Sequence, residues 1–103
     1  MGVDLKKLIS LKERDKVVVN GESFEVLKKE IDEFADMEIL LAKLNDKNEI
    51  LLYRILVEEK GRKISFSKIY EREVEKRNKK FPVKSNTEII RKYEYLDIQS
   101  LEV

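Results

Sequence analysis

Two oppositely charged stretches contain the residues whose types and spacing could do chemistry. Residues 60–84 carry ten Lys or Arg and three Glu, whereas residues 30–59 carry nine acidic residues and three basic ones. Basic side chains neutralise phosphates, and an aromatic ring among them can stack on a base. The basic segment therefore offers a nucleic-acid contact built from Lys76, Arg77, Lys79, Lys80, Phe81 and Lys84. A solvated surface, or one that packs against the acidic stretch, is the alternative that the balanced net charge of +1 favours.

Residues 30–38 contain five carboxylates, which are the ligands that Mg²⁺ and Ca²⁺ prefer. They are Glu30, Asp32, Glu33, Asp36 and Glu38. Their spacing does not match a calcium-binding loop, because the alternating acids and the central glycine of such a loop are missing. No pair of acids is singled out for hydrolysis either. A metal-dependent enzyme using this stretch is thus the third functional hypothesis. We assign no catalytic or metal-ligating residue and predict no cofactor.

The composition excludes several classes of site. The chain has 103 residues and neither Cys nor His, so disulfides, thiol nucleophiles and His-based triads are ruled out. Hydrophobic and charged residues each make up 42%, which predicts a single globular domain, residues 1–103, with a compact core and a charged surface. Lys and Glu together number 31 against one Gln, a bias typical of hyperthermophiles. In such a protein, clusters of charged residues are expected on the surface and do not by themselves indicate a binding site.

Neither a membrane segment nor an export signal is predicted. No stretch approaches the ~18 consecutive apolar residues of a membrane span. The N-terminal residues 1–15 are charged where a signal peptide needs an apolar centre. We therefore expect a cytoplasmic protein without a membrane partner.

Residues 37–57 form two apolar runs separated by Asn45-Asp46-Lys47-Asn48, which predicts a central β-hairpin. With a four-residue loop, Leu44 would face Glu49 and Leu40 would face Tyr53. Side chains alternate between the faces of a strand. One face would then carry Leu40, Ala42, Leu44, Leu51 and Tyr53, and the other Ile39, Leu41, Ile50 and Leu52. A sheet with one face in water should be apolar on the other face only. Because both faces of this hairpin are apolar, each must be covered by another part of the chain or by a partner.

The two-sided hairpin leads to the preferred functional hypothesis, a non-catalytic interaction module that self-associates as a homo-oligomer. The residues expected to mediate this contact are Ile39, Leu41, Ile50 and Leu52. Nucleic-acid binding by segment 60–84 is the alternative.

The remaining elements give an α+β fold dominated by an antiparallel meander. Asn20-Gly21 predicts a tight hairpin, because both residues accept positive φ. A short helix is expected within residues 3–12, a strand at 62–67, and a helix at 68–80 that stops before Pro82. Residues 87–98 fit a strand better than a helix capped at Ser85, since Ile, Thr and Tyr favour strands. We expect five or six strands in a curved sheet or small barrel, with one or two helices.

The segment from Val17 to Val26, and more loosely Leu51 to Tyr53, resembles small β domains of the "domain of unknown function" type. In those domains a strand, an Asn-Gly or Asp-Gly turn and an aromatic-Glu-Val strand begin a curved antiparallel sheet. SH3-like and OB barrels begin in similar ways. The resemblance implies a β fold and no activity.

Overall fold

The computed structural model of the chain describes residues 5–77 and 85–103. One short helix is followed by seven strands, with a 3₁₀ turn at Glu59–Gly61 between the fourth and fifth. The elements are α1 Leu5–Ser10, β1 Lys16–Val19, β2 Glu22–Ile31, β3 Met37–Leu44, β4 Ile50–Glu58, β5 Lys63–Arg77, β6 Ser85–Leu96 and β7 Leu101–Glu102.

All seven strands belong to one antiparallel sheet with the order β6-β5-β4-β3-β2-β1-β7. β1 to β6 form a meander, and β7 then pairs with β1 on the far side. In a flat sheet the two outermost strands would be about 29 Å apart, whereas the chain from Leu96 to Leu101 spans at most about 18 Å. The sheet must therefore curve at this end, although it does not close. The predicted antiparallel meander is confirmed, and in the described residues the helical content is limited to α1 and the 3₁₀ turn.

The side chain of Asn20 fastens the connection between β6 and β7. Its amide group donates to the Asp97 carbonyl oxygen at 2.8 Å, and its oxygen accepts the amides of Gln99 at 2.7 Å and Ser100 at 3.1 Å. Asn20 and Gly21 have φ values of 52° and 79°. The predicted tight hairpin at Asn20-Gly21 is therefore confirmed, and its first residue also holds residues 97–100 against the sheet.

The predicted helix at 68–80 is wrong for residues 68–77, which continue β5 as a strand. Glu71, Glu73 and Glu75 alternate with other residues at the period of a strand, a signal that the helical spacing of the apolar residues obscured. β6 pairs with β5 through twelve residues without a shift in register, so tertiary pairing decides the structure. The strand expected at 62–67 is the first part of β5, and the strand expected at 87–98 is β6.

The central hairpin forms, but its predicted register is wrong by one residue. Leu44 pairs with Ile50 and Leu41 with Tyr53, because the loop contains five residues rather than four. The Asn45 side-chain oxygen accepts the amides of Lys47 and Glu49, and Asn48 has a φ of 60°. A slip of one residue moves every side chain of one strand to the opposite face. The assignment of β4 side chains to the two faces was therefore also wrong.

One face of the sheet, the inner face, carries the hydrophobic core. Leu8 of α1 and the nearby Leu11 pack against it, which confirms the predicted N-terminal helix. Three rings form its centre: Phe24 lies edge-on to Tyr53 and Phe66, and the last two stack with centroids 5.4 Å apart. The inner side chains of the central hairpin are Met37, Ile39, Leu41, Tyr53, Ile55 and Val57. Within the described part of the chain, no helix has the length and apolar character needed to span a bilayer.

Candidate interaction surface

The opposite face of the central hairpin, the outer face, is also apolar but is open to solvent. Ile50 is 68% exposed, Leu44 62% and Leu27 43%. Leu40, Ala42 and Leu52, on the same face, are partly buried. We call this set the outer apolar surface: Leu27, Leu40, Ala42, Leu44, Ile50 and Leu52. Leu27 joins it from β2 because the register shifts between Val26 and Lys28, and a bulge redirects a side chain.

A groove of about 940 Å³ runs along the outer apolar surface. Ala42 stands between Glu25 and Leu52 in the register of the sheet, and its small side chain leaves space between larger neighbours. At one end of the groove Lys43 forms an ion pair with Glu22 at 2.8 Å. The hydrogen bond from Lys43 to the Glu22 carboxylate raises the pKa of the lysine amine above its ordinary value. The groove is thus lined mainly by apolar side chains on the hairpin, and on the side of β1 and β2 it is also lined by the charged residues Lys16 and Glu25.

Next to this surface lies a cluster formed by Arg54, Tyr93 and Tyr95. Arg54 faces Leu40 in the register, and its guanidinium carbon is 3.8 Å from the centre of the Tyr93 ring. The small side chain of Ser67 separates Arg54 from Tyr95 in the sheet and lets the guanidinium cross β5. Arginine and tyrosine are enriched in the energetically dominant parts of protein interfaces.

The polar contacts of Arg54 are long. Its Nη1 lies 3.5 Å from Glu38 Oε2 and its Nη2 3.5 Å from the Tyr95 hydroxyl. Among residues 5–77 and 85–103, its buried Nε has no hydrogen-bond partner. Arg54 is only 9% exposed. The ring of Tyr93 therefore adds a cation–π contact to these long polar contacts. Tyr95, which is 65% exposed, carries the cluster to the surface.

The structure does not bring the four predicted self-association residues together. Ile39 and Leu41 are fully buried on the inner face, whereas Ile50 and Leu52 lie on the outer face. The one-residue error in register is the reason. Sequence reasoning also missed Leu27, Arg54, Tyr93 and Tyr95. The two tyrosines are two residues apart in a strand, so their shared face was a signal that could have been used.

The predicted nucleic-acid residues fall at or beyond the end of β5. Lys76 and Arg77 are its last two residues and pair with Asn86 and Ser85 of β6. Lys79, Lys80, Phe81 and Lys84 lie outside the described residues. The nucleic-acid site therefore stays a prediction.

The acidic stretch 30–38 comprises the end of β2, the tight connection at residues 32–36 and the start of β3. The Asp32 carboxylate accepts the amides of Phe34 and Asp36, both at 2.9 Å, so it stabilises the turn. In residues 5–77 and 85–103, no three or more acidic side chains are arranged to hold a metal ion.

Comparisons with known proteins add no relative to this picture. No family model, no curated protein and no solved structure matches the chain. The resemblance to small β domains of unknown function stays a prediction.

Proposed function

We propose that the protein is a non-catalytic interaction module that self-associates through its outer apolar surface. The observation that carries this proposal is the exposure of Leu44 and Ile50 on a face whose central residues are apolar. Contiguous exposed apolar surface on a protein of this size is typical of an interaction site. The chain's own helix and its C-terminal strand pack on the inner face, so they do not cover the outer one.

A second copy of the chain suits this surface because charges of both signs, two pairs of them in contact, stand at its margins. On the side of β2, Lys28 is paired with Glu30 at 2.6 Å. On the side of β5, Glu71 is paired with Arg91 at 2.8 Å. Paired margins offer little attraction to a highly charged partner, whereas a copy with a net charge of +1 meets little repulsion.

The shape of the surface supports the same partner. The groove at Ala42 and the exposed side chains of Leu44 and Ile50 lie on one face. A two-fold contact is self-complementary, so the raised residues of each copy can fill the groove of the other. Tyr95, at the edge of the arginine cluster, would add an aromatic contact next to the apolar centre.

The substitution Ile50→Lys tests this proposal. Burying an isoleucine contributes about 1.5–3 kcal/mol, and the change occurs twice in a two-fold contact, so we expect self-association to weaken about 100-fold or more. Sedimentation equilibrium from micromolar to millimolar protein measures the effect. Phe34→Lys is the matched control, because Phe34 is 75% exposed in the turn at the opposite end of β3. A monomeric wild type, or equal weakening by both substitutions, would overturn the proposal.

Nucleic-acid binding through segment 60–84 is the second candidate function. It is favoured by a two-stranded ribbon: beyond Ile69, the last β5 residue that pairs with β4, β5 continues to pair with β6 as far as Arg77. A two-stranded ribbon is an element that the DNA major groove admits. We expect retention on immobilised DNA to fall steeply with salt, with a slope of about −0.9 for each phosphate neutralised. If, at low salt, the protein elutes from immobilised DNA at the same position as from an uncharged matrix, this candidate function is excluded.

A further inference from the structure

The two edges of the sheet differ sharply in length. β7 is an edge strand of two residues, whereas β6 is an edge strand of twelve. Short, bulged or proline-containing edges prevent unwanted pairing. The residues of β6 include no proline, and its register with β5 shows no bulge. Apolar side chains on it are exposed, among them Ile89 at 59% and Ile90 at 45%. β6 is therefore a long edge able to accept another strand.

If that strand is β6 of a second copy, geometry allows few registers. Residues that face each other across an antiparallel ladder point to the same face of the sheet. In a two-fold pairing, each residue must then face one whose number differs from its own by an even number. Two registers overlap the two strands most completely: one places Ile90 opposite Ile90, and the other places Arg91 opposite Arg91.

Charge decides between these two registers. With Arg91 on the two-fold axis, two arginines face each other and Glu88 faces Glu94 twice. With Ile90 on the axis, two isoleucines meet and Glu88 faces Lys92 on both sides. Facing charges of opposite sign stabilise a strand pair, and facing charges of the same sign destabilise it. The strand is thus self-complementary in one register.

We infer that two copies of the chain pair through β6 in antiparallel orientation, with Ile90 on the two-fold axis. The two sheets become one continuous sheet across this contact. The inference goes beyond the proposed function, because the contact lies at the sheet edge and uses none of the outer apolar surface. A chain that uses both contacts has two neighbours and forms assemblies larger than a dimer.

Disulfide trapping tests the register directly, because the chain contains no cysteine. Facing residues of an antiparallel pair have Cα atoms about 4.5–5.5 Å apart, within the range of a disulfide. Ile90→Cys should therefore give a covalent dimer on mild oxidation at micromolar protein. Thr87→Cys is the matched control on the same exposed strand, since two copies of residue 87 would be about 20 Å apart. Equal cross-linking of both variants, or none of Ile90→Cys, would overturn the inference.

Charge reversal provides an independent measurement. Lys92→Glu places carboxylates opposite each other on both sides of the axis, so we expect edge pairing to weaken about tenfold or more. Adding Glu88→Lys reverses both members of the pair and should restore the affinity to within about threefold of the wild type. A double variant as weak as Lys92→Glu would contradict the register.

The two contacts are separated by repeating the trapping experiment in the Ile50→Lys background. If both contacts exist, Ile50→Lys lowers the mass of the assembly while Ile90→Cys still gives the covalent dimer. If only the edge contact exists, Ile50→Lys changes neither readout, and the proposed function alone fails. If only the outer apolar surface associates, Ile50→Lys gives monomers and Ile90→Cys gives no covalent dimer, and the edge inference alone fails.

Discussion

The guanidinium carbon of Arg54 lies 3.8 Å from the centre of the Tyr93 ring, so the ring adds to the compensation of a charge whose polar contacts with Glu38 and Tyr95 are both 3.5 Å long. The contact joins β4 to β6 across β5. It covers a sheet face that carries Ser67 and Ile69, which are 1% and 6% exposed. The arginine cluster therefore has a structural role at the centre of the outer face as well as a position at the margin of the proposed contact.

Removing the ring should destabilise the protein more than removing its hydroxyl. Tyr93→Leu takes away a cation–π contact with a largely desolvated cation, so we expect the free energy of unfolding to fall by about 1–2 kcal/mol. Tyr93→Phe keeps the ring and should stay within about 0.5 kcal/mol of the wild type. Urea unfolding followed by circular dichroism compares the two variants. Equal losses would show that the ring does not stabilise Arg54.

Replacing the buried arginine itself should be tolerated. Arg54 Nε has no hydrogen-bond partner in the part of the chain that the structure describes, and the two polar contacts of the guanidinium are 3.5 Å long. Exchanging a poorly paired buried charge for an apolar side chain of similar length is often neutral or stabilising. Arg54→Met should therefore leave the free energy of unfolding unchanged or raise it by about 1 kcal/mol. Arg54→Ala also loses the packing of the stem and should cost about 2 kcal/mol.

A result in which Arg54→Met is as destabilised as Arg54→Ala would contradict this view of the cluster. The guanidinium would then contribute through its charge and not only through its stem.

The sequence predicted the features that depend on short-range chemistry. Asn20 and Gly21 form a hairpin because both accept positive φ, and the two apolar runs of residues 37–57 pair as expected. The register of that hairpin was missed because Asn45 caps a five-residue loop, which no alternation of apolar residues reveals. β5 was missed because its partner β6 decides its conformation. The Arg54–Tyr93 contact requires three strands in register before the two residues meet.

Alkaline pH should weaken the ion pair between Lys43 and Glu22 in the lining of the groove. The hydrogen bond from Lys43 raises its pKa above the ordinary value of 10.5 in the folded chain. A raised folded pKa means that the ion pair stabilises the fold fully below that ordinary value and is lost as pH rises through the folded pKa. NMR titration of the lysine side chain should show the raised pKa, and Glu22→Gln should lower it. Glu25→Gln, which removes another carboxylate of β2 that lines the groove, should leave it unchanged.

Asn20 should control whether β7 stays on the sheet. Its side chain makes three hydrogen bonds to residues 97–100, and its φ of 52° disfavours most other residues. Asn20→Ala loses both features and should lower the free energy of unfolding by about 2–3 kcal/mol. Asn20→Gly loses the hydrogen bonds but accepts the backbone conformation, so its cost should be about 1 kcal/mol smaller.

Hydrogen exchange locates the effect of these substitutions. The amide of residue 20 donates to the Ser100 carbonyl oxygen, and Val18, two residues earlier on β1, pairs with Glu102 and points its amide to the same side. These two amides should exchange faster in both Asn20 variants if the side chain holds β7 in place. Exchange in β4, at the centre of the sheet, serves as the internal reference for global unfolding. If β1 and β7 keep their protection relative to β4, Asn20 acts only through its turn. The curvature that brings the two ends of the sheet together would then depend on the packing of Leu101 against the core.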